Sequence, residues 1–334
     1  GGVLVALAYA VVADRGLSGR LSVGDLALVI GAFAVVTGQL GSFLSAIFRI
    51  DQSATFLADY FSFLQLEPLV GVVEHPTPIP TPLEQGVRFE GVSFTYPSPD
   101  SPTAVKHFDL EIRPGELIAL VGENGAGKTT LVKLLLRFYD ADEGTVRVGG
   151  VDVRDVDPAD LRSRIGVLFQ DFARPEVSVR QNIGLGRVER EPTDAAVLDA
   201  LTAARADHLV PKMRDGLDTS IGRLFEGGHD LSGGEWQRLA LARLMFRSAD
   251  IWVLDEPTSS LDAEAEAAIF TNLREQLRGR IGIVISHRFS TVRVADRIAV
   301  MSDGAITELG THEDLIALGG TYARLFELQA SAYR

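Results

Sequence analysis

The chain has 334 residues, enough for two domains of ordinary size, with a formal net charge of -13 and no cysteine. The missing thiols exclude a disulfide framework, thiolate metal sites and cysteine catalysis. The acidic balance argues against nucleic acid as a partner, because a backbone binder needs a basic stripe to displace counterions.

The chain opens on Gly1 inside an apolar run, GGVLVALAYAVV, with no basic leader, so it reads as the C-terminal part of something longer. Residues 1–12 are too short to cross a bilayer alone and are expected to be the end of one spanning helix. A polar turn, ADRGLSGRLSVGD, follows. Residues 26–48 carry no charged side chain. At ~1.5 Å per residue a helix there spans about 35 Å, against a hydrocarbon core of ~30 Å. A buried core helix of a soluble domain is the competing reading. Gly38, Gly41, Ser42 and Ser45 share one face, a pattern for close helix packing or for a polar lining. From Arg49 to Leu66 the apolar residues Phe56, Leu57, Tyr60, Phe61 and Leu64 recur at helical spacing, so the helix is expected to continue beyond the membrane. The prolines of HPTPIPTP, residues 75–82, then predict an extended linker.

Beyond residue 86 short β-branched runs alternate with helical stretches. VRFEGVSF and HFDLEIR predict an antiparallel layer. ELIALV, IGVLF, IWVLD and IGIVIS predict buried strands of a mostly parallel sheet, and residues 171–246 are mainly helical in pattern. The pattern predicts a helical transmembrane segment followed by an α/β domain. Its divisions are a membrane portion (1–68), a Pro-rich linker (69–86) and an α/β domain (87–330), which the motifs described next mark as a P-loop NTPase, a nucleotide-binding domain.

Residues 122–130, GENGAGKTT, fit G-x-x-x-x-G-K-[ST] between a strand and the helical run KTTLVKLLLRF, the context of a phosphate-binding loop. Gly122, Gly125 and Gly127 let backbone N–H groups face phosphates, and Asn124, Ala126 and Thr130 belong to the same nucleotide-binding stretch. Lys128 supplies a point charge to the terminal phosphates of ATP, and the Thr129 hydroxyl is a ligand for Mg²⁺. The strand IWVLD ends at Asp255, a second oxygen ligand for Mg²⁺. Glu256, one residue on, stands where a base or water-positioning group is needed. A Gly-rich turn explains the glycines but not Lys-Thr in this register.

LSGGE at residues 231–235, followed by WQRLALAR, resembles the signature of ATP-binding cassette (ABC) proteins. Ser232, Gly233 and Gly234 open a helix and so make a second anion site, although an ordinary Ser N-cap has the same local sequence. The resemblance implies a RecA-like cassette with an antiparallel β layer and a helical subdomain. It also implies that a second half-transporter, identical or paralogous, closes its signature over the ATP held by the first. On the same ground Tyr96 is expected to stack on adenine, although strand-end packing is its plainer role. Gln170 is expected to reach Mg²⁺ and the attacking water. Asp262 is expected to couple the two ATP sites, and His287 to contact the γ-phosphate. ISHRFSTVRVADRI and GTHEDLIAL resemble exporter cassettes, which implies membrane lipid as a partner of the spanning helices, a cytoplasmic cassette and a bacterial inner (plasma) membrane. The function expected is ATP hydrolysis coupled to export. The alternative is an ATP-binding membrane subunit, or an ABC ATPase, that does not itself transport. The segment IGRLFEGGHDLSGG departs from the exporter pattern at Arg223, Leu224 and Phe225, with Glu226 the candidate for sensing the membrane domain.

Overall fold

In the computed structural model the described residues are 2–18, 22–68, 70–71, 73–223, 228–257, 263–277, 279–286 and 288–332. They form two compact units, Gly1–Pro68 and Leu69–Arg334.

The first unit is a pair of helices, α1 (Gly2–Leu17) and α2 (Val23–Leu64). Tyr9 meets Phe33 edge-on with ring centroids 5.5 Å apart. The polar turn is shorter than the sequence predicts, because α1 continues through Asp14 and Arg15. The start of α2 is set by a reciprocal cap: the Ser22 hydroxyl accepts from the Asp25 N–H, and the Asp25 carboxylate accepts from Ser22. With 42 residues α2 is about 63 Å long, twice a hydrocarbon core. Ala27–Leu64 is long and apolar enough to cross a membrane, and no residue of its most apolar window is buried inside the protein. An exposed apolar face of this kind suits lipid or another apolar protein surface. Ser42 and Ser45 turn their hydroxyls back onto the carbonyls of Gly38 and Gly41, at 3.0 and 2.9 Å, which spends their polarity within the helix.

The second unit contains β1 (Val87–Thr95), β2 (Thr103–Ile112), β3 (Leu117–Gly122), α3 (Lys128–Leu135), β4 (Glu143–Val148), β5 (Val151–Asp152), α4 (Pro158–Ser163) and β6 (Ile165–Leu168). It continues with α5 (Val179–Gly184), α6 (Asp194–Ala203), α7 (Gly233–Arg247), β7 (Ile251–Asp255), α8 (Ala263–Gln276), β8 (Ile281–Ile285), α9 (Phe289–Val292), β9 (Arg297–Ser302), β10 (Ala305–Gly310), α10 (His312–Leu318) and α11 (Thr321–Ala332). Two sheets result, an antiparallel β2-β1-β4-β5 layer and a six-stranded sheet in the order β10-β9-β3-β8-β7-β6, parallel apart from edge strand β10.

The five parallel strands of this sheet are covered on both faces, which is why they read as largely apolar runs, while edge strand β10 is part-exposed. Alternate residues serve opposite cores. Leu117, Ala119, Val121, Trp252 and Leu254 pack with the helices α5, α6 and α7. Ile118, Leu120, Ile251 and Val253 pack with α3 and the antiparallel layer. Each such fully buried aliphatic side chain contributes roughly 1.5–3 kcal/mol.

Two local departures from the sequence reading have physical causes. The helix after the Gly-rich loop ends at Leu135, short of Phe138, because Arg137 takes a left-handed φ of 49°. That turn sends its buried guanidinium to Asp140 and to the carbonyls of Val156 and Gly71. The Pro-rich stretch is neither helix nor strand, yet it is pinned down: Ile79 and Leu83 enter the core, and Arg164 reaches the Ile79 carbonyl and the Thr81 hydroxyl.

Candidate active site

The ends of β3, β6 and β7 and the start of α3 converge on a cavity of about 500 Å³. In an open parallel sheet, ligands bind beyond the carboxyl ends of the strands, and this cavity obeys that rule. Among the described residues its walls include Asn124, Gly125, Gly127, Lys128, Thr129 and Thr130 from the loop and helix, with Gln170, Asp255 and Glu256 opposite and Tyr96 at the rim.

The loop's shape requires glycine at both ends. A Cβ on Gly122 would lie 2.2 Å from the Met301 carbonyl oxygen, and one on Gly127 would lie 2.5 Å from that of Ala104. Gly127 also has φ 95° and gives α3 an N-terminus with no side-chain cap. The free N–H groups of that first turn and the positive end of the helix dipole therefore face the cavity, which suits an anion. Gly122 and Ala126 belong to the loop without lining the cavity.

Lys128 folds over the loop and donates to the carbonyls of Gly122 and Glu123, at 2.7 and 2.9 Å. Burial pushes its ammonium below the usual lysine value, against the opposing pull of Asp255 and Glu256. The Thr129 hydroxyl donates to the Asp255 carboxylate at 3.2 Å, although 126 positions separate the two in sequence. With Gln170 on the same wall, this is a set of hard oxygen donors that fits Mg²⁺, which takes few protein ligands and keeps phosphate and water oxygens for the rest.

Glu256 has φ 50°, an uncommon conformation for a residue with a side chain. Its N–H donates to the Ile285 carbonyl at 2.9 Å, and its own carbonyl accepts from the Gln237 side chain at 3.3 Å. Tyr96 packs edge-on against Phe94 and Tyr139, while its hydroxyl meets Thr130 at 3.1 Å. Strand-end packing and a place at the cavity rim thus coexist.

Ser232, Gly233 and Gly234 do not line this cavity. Ser232 caps α7 in a closed box with Glu235, whose carboxylate accepts from the Ser232 N–H and hydroxyl at 2.8 Å each. Burial works against that carboxylate, yet the two Ser232 donors hold it below the ordinary glutamate value. Asp262 and His287 lie outside the described residues, as do Leu224, Phe225 and Glu226. The segment just after His287 is tied down: the buried Glu266 carboxylate accepts from Arg288 at 2.9 Å, from Ser290 at 2.8 Å and from Thr291. Arg223 of the altered segment pairs with Asp230 at 2.6 Å.

Sequence reasoning missed Lys106, Asp303 and Gly304 on the cavity wall. Asp303-Gly304 signals only a tight turn. Its position follows from the Lys106 N–H bond to the Gly304 carbonyl at 2.9 Å, a contact between distant strands.

Residues 105–259 match the ABC transporter family. The subtilin transport ATP-binding protein SpaT of Bacillus subtilis is 36% identical over 312 residues, 93% of this chain and 50% of that protein. An ATP-dependent lipid A-core flippase of Methylobacillus flagellatus is 39% identical over 311 residues, 93% of this chain and 52% of that protein. The structure of a bacterial Atm1-family ABC exporter with ATP bound superposes with a TM-score of 0.76 at 32% identity, covering 98% of this chain and 57% of that one. The chain spans about half the length of the curated relatives it matches.

Proposed function

Because the chain belongs to the ABC transporter family and carries its ATPase domain, we propose that it is the motor part of an exporter. In this reading residues 87–330 are the cassette, 1–68 are the C-terminal part of the membrane domain and 69–86 join them. The observation that carries it is the convergence of Lys128, Thr129, Asp255 and Glu256 on one cavity, with Thr129 and Asp255 3.2 Å apart.

ATP lies with its phosphates against the uncapped start of α3, where Lys128 and the N–H groups of residues 124–130 hold them. Tyr96 contacts the adenine. Thr129, Asp255 and Gln170 hold Mg²⁺, which when bound neutralises charge on the β- and γ-phosphates. Glu256 orients a water in line with the γ-phosphorus and takes up its proton. The new P–O bond forms as the bond to the bridging oxygen breaks, and ADP and phosphate leave. His287 holds the γ-phosphate and the water, and Asp262 couples the two sites.

A second half-transporter closes each site with its own Ser232–Gly234. Closure on ATP and reopening after hydrolysis move α2. The relatives' names give different cargoes, subtilin in one and lipid A-core in another. Both names tie ATP to the movement of a cargo, and in this reading cargo choice falls to the membrane helices. For this chain we place the membrane as a bacterial inner membrane and the cassette in the cytoplasm.

Replacing Glu256 tests the reading. Glu256→Gln in the full protein is expected to cut steady-state ATP turnover by more than roughly 100-fold, the scale of a lost general base, with ATP binding retained. Unaltered turnover would refute the role given to Glu256.

A further inference from the structure

Gln237 is 1% exposed, on the fifth residue of α7. Around it in the helix Trp236, Leu239, Ala240 and Leu241 are also buried. An amide placed in such surroundings costs free energy unless it is hydrogen-bonded. Its Nε2 donates to the backbone carbonyl of Glu256 at 3.3 Å. Glu256 is the residue held at φ 50°, and its N–H is fixed to Ile285 of β8. The two peptide units that flank the Glu256 Cα are therefore held from two different elements. Such a conformation persists only where its surroundings over-determine it.

We propose that Gln237 is a positioning residue for hydrolysis: by gripping the Glu256 carbonyl it sets the direction of the Glu256 carboxylate and ties it to α7, the helix that Ser232 opens. The proposal rests on the hydrolytic reading of Glu256 and deepens it. The α7 helix starts at the anion site offered to the partner's nucleotide, and one and a half turns later it touches the backbone of the water-orienting residue. A shift of α7 thus reaches Glu256 through this hydrogen bond. The side chain must donate and be neutral, which glutamine satisfies and a carboxylate does not.

The test uses the full protein with two variants, Gln237→Met and Gln237→Glu. Gln237→Met keeps the volume and removes the donor. Its kcat for ATP is expected to fall about tenfold, the scale of one lost orienting hydrogen bond, with the KM for ATP within about twofold of wild type. Gln237→Glu donates only when protonated, and a carboxyl buried here titrates above the ordinary range. Its kcat relative to wild type is therefore expected to rise about tenfold as pH falls from roughly 9 to 6. A side chain that merely fills space gives a ratio flat with pH.

Wild-type kcat in Gln237→Met, a parallel loss of ATP affinity, or a flat ratio for Gln237→Glu overturns the proposal. If Gln237→Met fails to bind ATP because it does not fold, the pH profile of Gln237→Glu decides. Glu256→Gln run beside them separates the two failures. If Glu256→Gln abolishes turnover while both Gln237 variants match wild type, only the positioning role falls. If Glu256→Gln turns over normally, the hydrolytic reading falls and the positioning role with it.

Discussion

Two helix N-termini offer themselves to a phosphate, and they are built in opposite ways. The start of α3 follows Gly127 and has no side-chain cap, so its N–H groups remain free for a ligand. The start of α7 is capped by Ser232 and closed by Glu235, so the Ser232 N–H, the Ser232 hydroxyl and the Glu235 N–H are already engaged within the chain. A backbone without a cap is less stable by about 1 kcal/mol, and α3 accepts that cost where binding needs open donors. The α7 end is stable alone and presents a carboxylate beside the place where a partner's phosphate would arrive. The first terminus binds by being unfinished. In the proposed reading the second adjusts the interface with a partner cassette.

The sharpest way to break this contrast is to remove the charge at α3. Lys128→Ala is expected to weaken ATP binding on the order of 100-fold, about 2.7 kcal/mol for a charge-assisted contact, as read by calorimetry. The corresponding change at α7 acts elsewhere. Ser232→Ala is expected to lower turnover about tenfold while leaving ATP affinity of a single cassette unchanged, and to destabilise the fold by about 1 kcal/mol through the lost cap. A loss of single-cassette affinity in Ser232→Ala would erase the distinction between the two ends.

Glu235→Gln is milder and of opposite sign. Glutamine keeps the reciprocal cap and removes the negative charge, so the KM for ATP is expected to fall about threefold, the scale of one partly screened charge.

The smallest effect concerns pH. The folded-state pKa of Glu235 lies below its unfolded value of 4.5. Its ionised form therefore adds stability that is complete above about 4.5 and is lost as pH falls through the lowered folded value. Glu235→Gln should flatten that acid limb in equilibrium unfolding, and an unchanged limb would show that the cap gains nothing from ionisation.

How far the sequence led differs between these parts. The strands were legible because a sheet covered on both faces demands unbroken apolar runs, as in Ile251–Asp255. The fold class followed from their alternation with helices and from the Gly-rich loop. The meeting of Thr129 with Asp255 was legible only as chemistry: both are oxygen donors for one cation, and the strand order that brings them together is a tertiary fact. Lys106, Asp303 and Gly304 were not legible, since no local pattern tells a turn that packs on a cavity from any other turn. Gln237 was hidden for a related reason. In sequence it is one polar residue in a helix, and its meaning comes from the carbonyl it touches 19 positions away. The early end of α3 depended on the left-handed turn at Arg137, which is drawn by distant carbonyls.

The central claim is that each ATP is held by Lys128 of one copy and Ser232 of another, and mixed dimers test it most directly. Pairs purified by two different tags would carry Lys128→Ala and Ser232→Ala either on the same chain, opposite a wild-type partner, or one on each chain. Shared sites predict that the separated pair keeps one intact site, while the same-chain pair has both sites damaged and turns ATP over about tenfold more slowly than the separated pair. The reverse pattern, with the same-chain pair the faster and the separated pair about tenfold slower, would mean that each chain completes its own site.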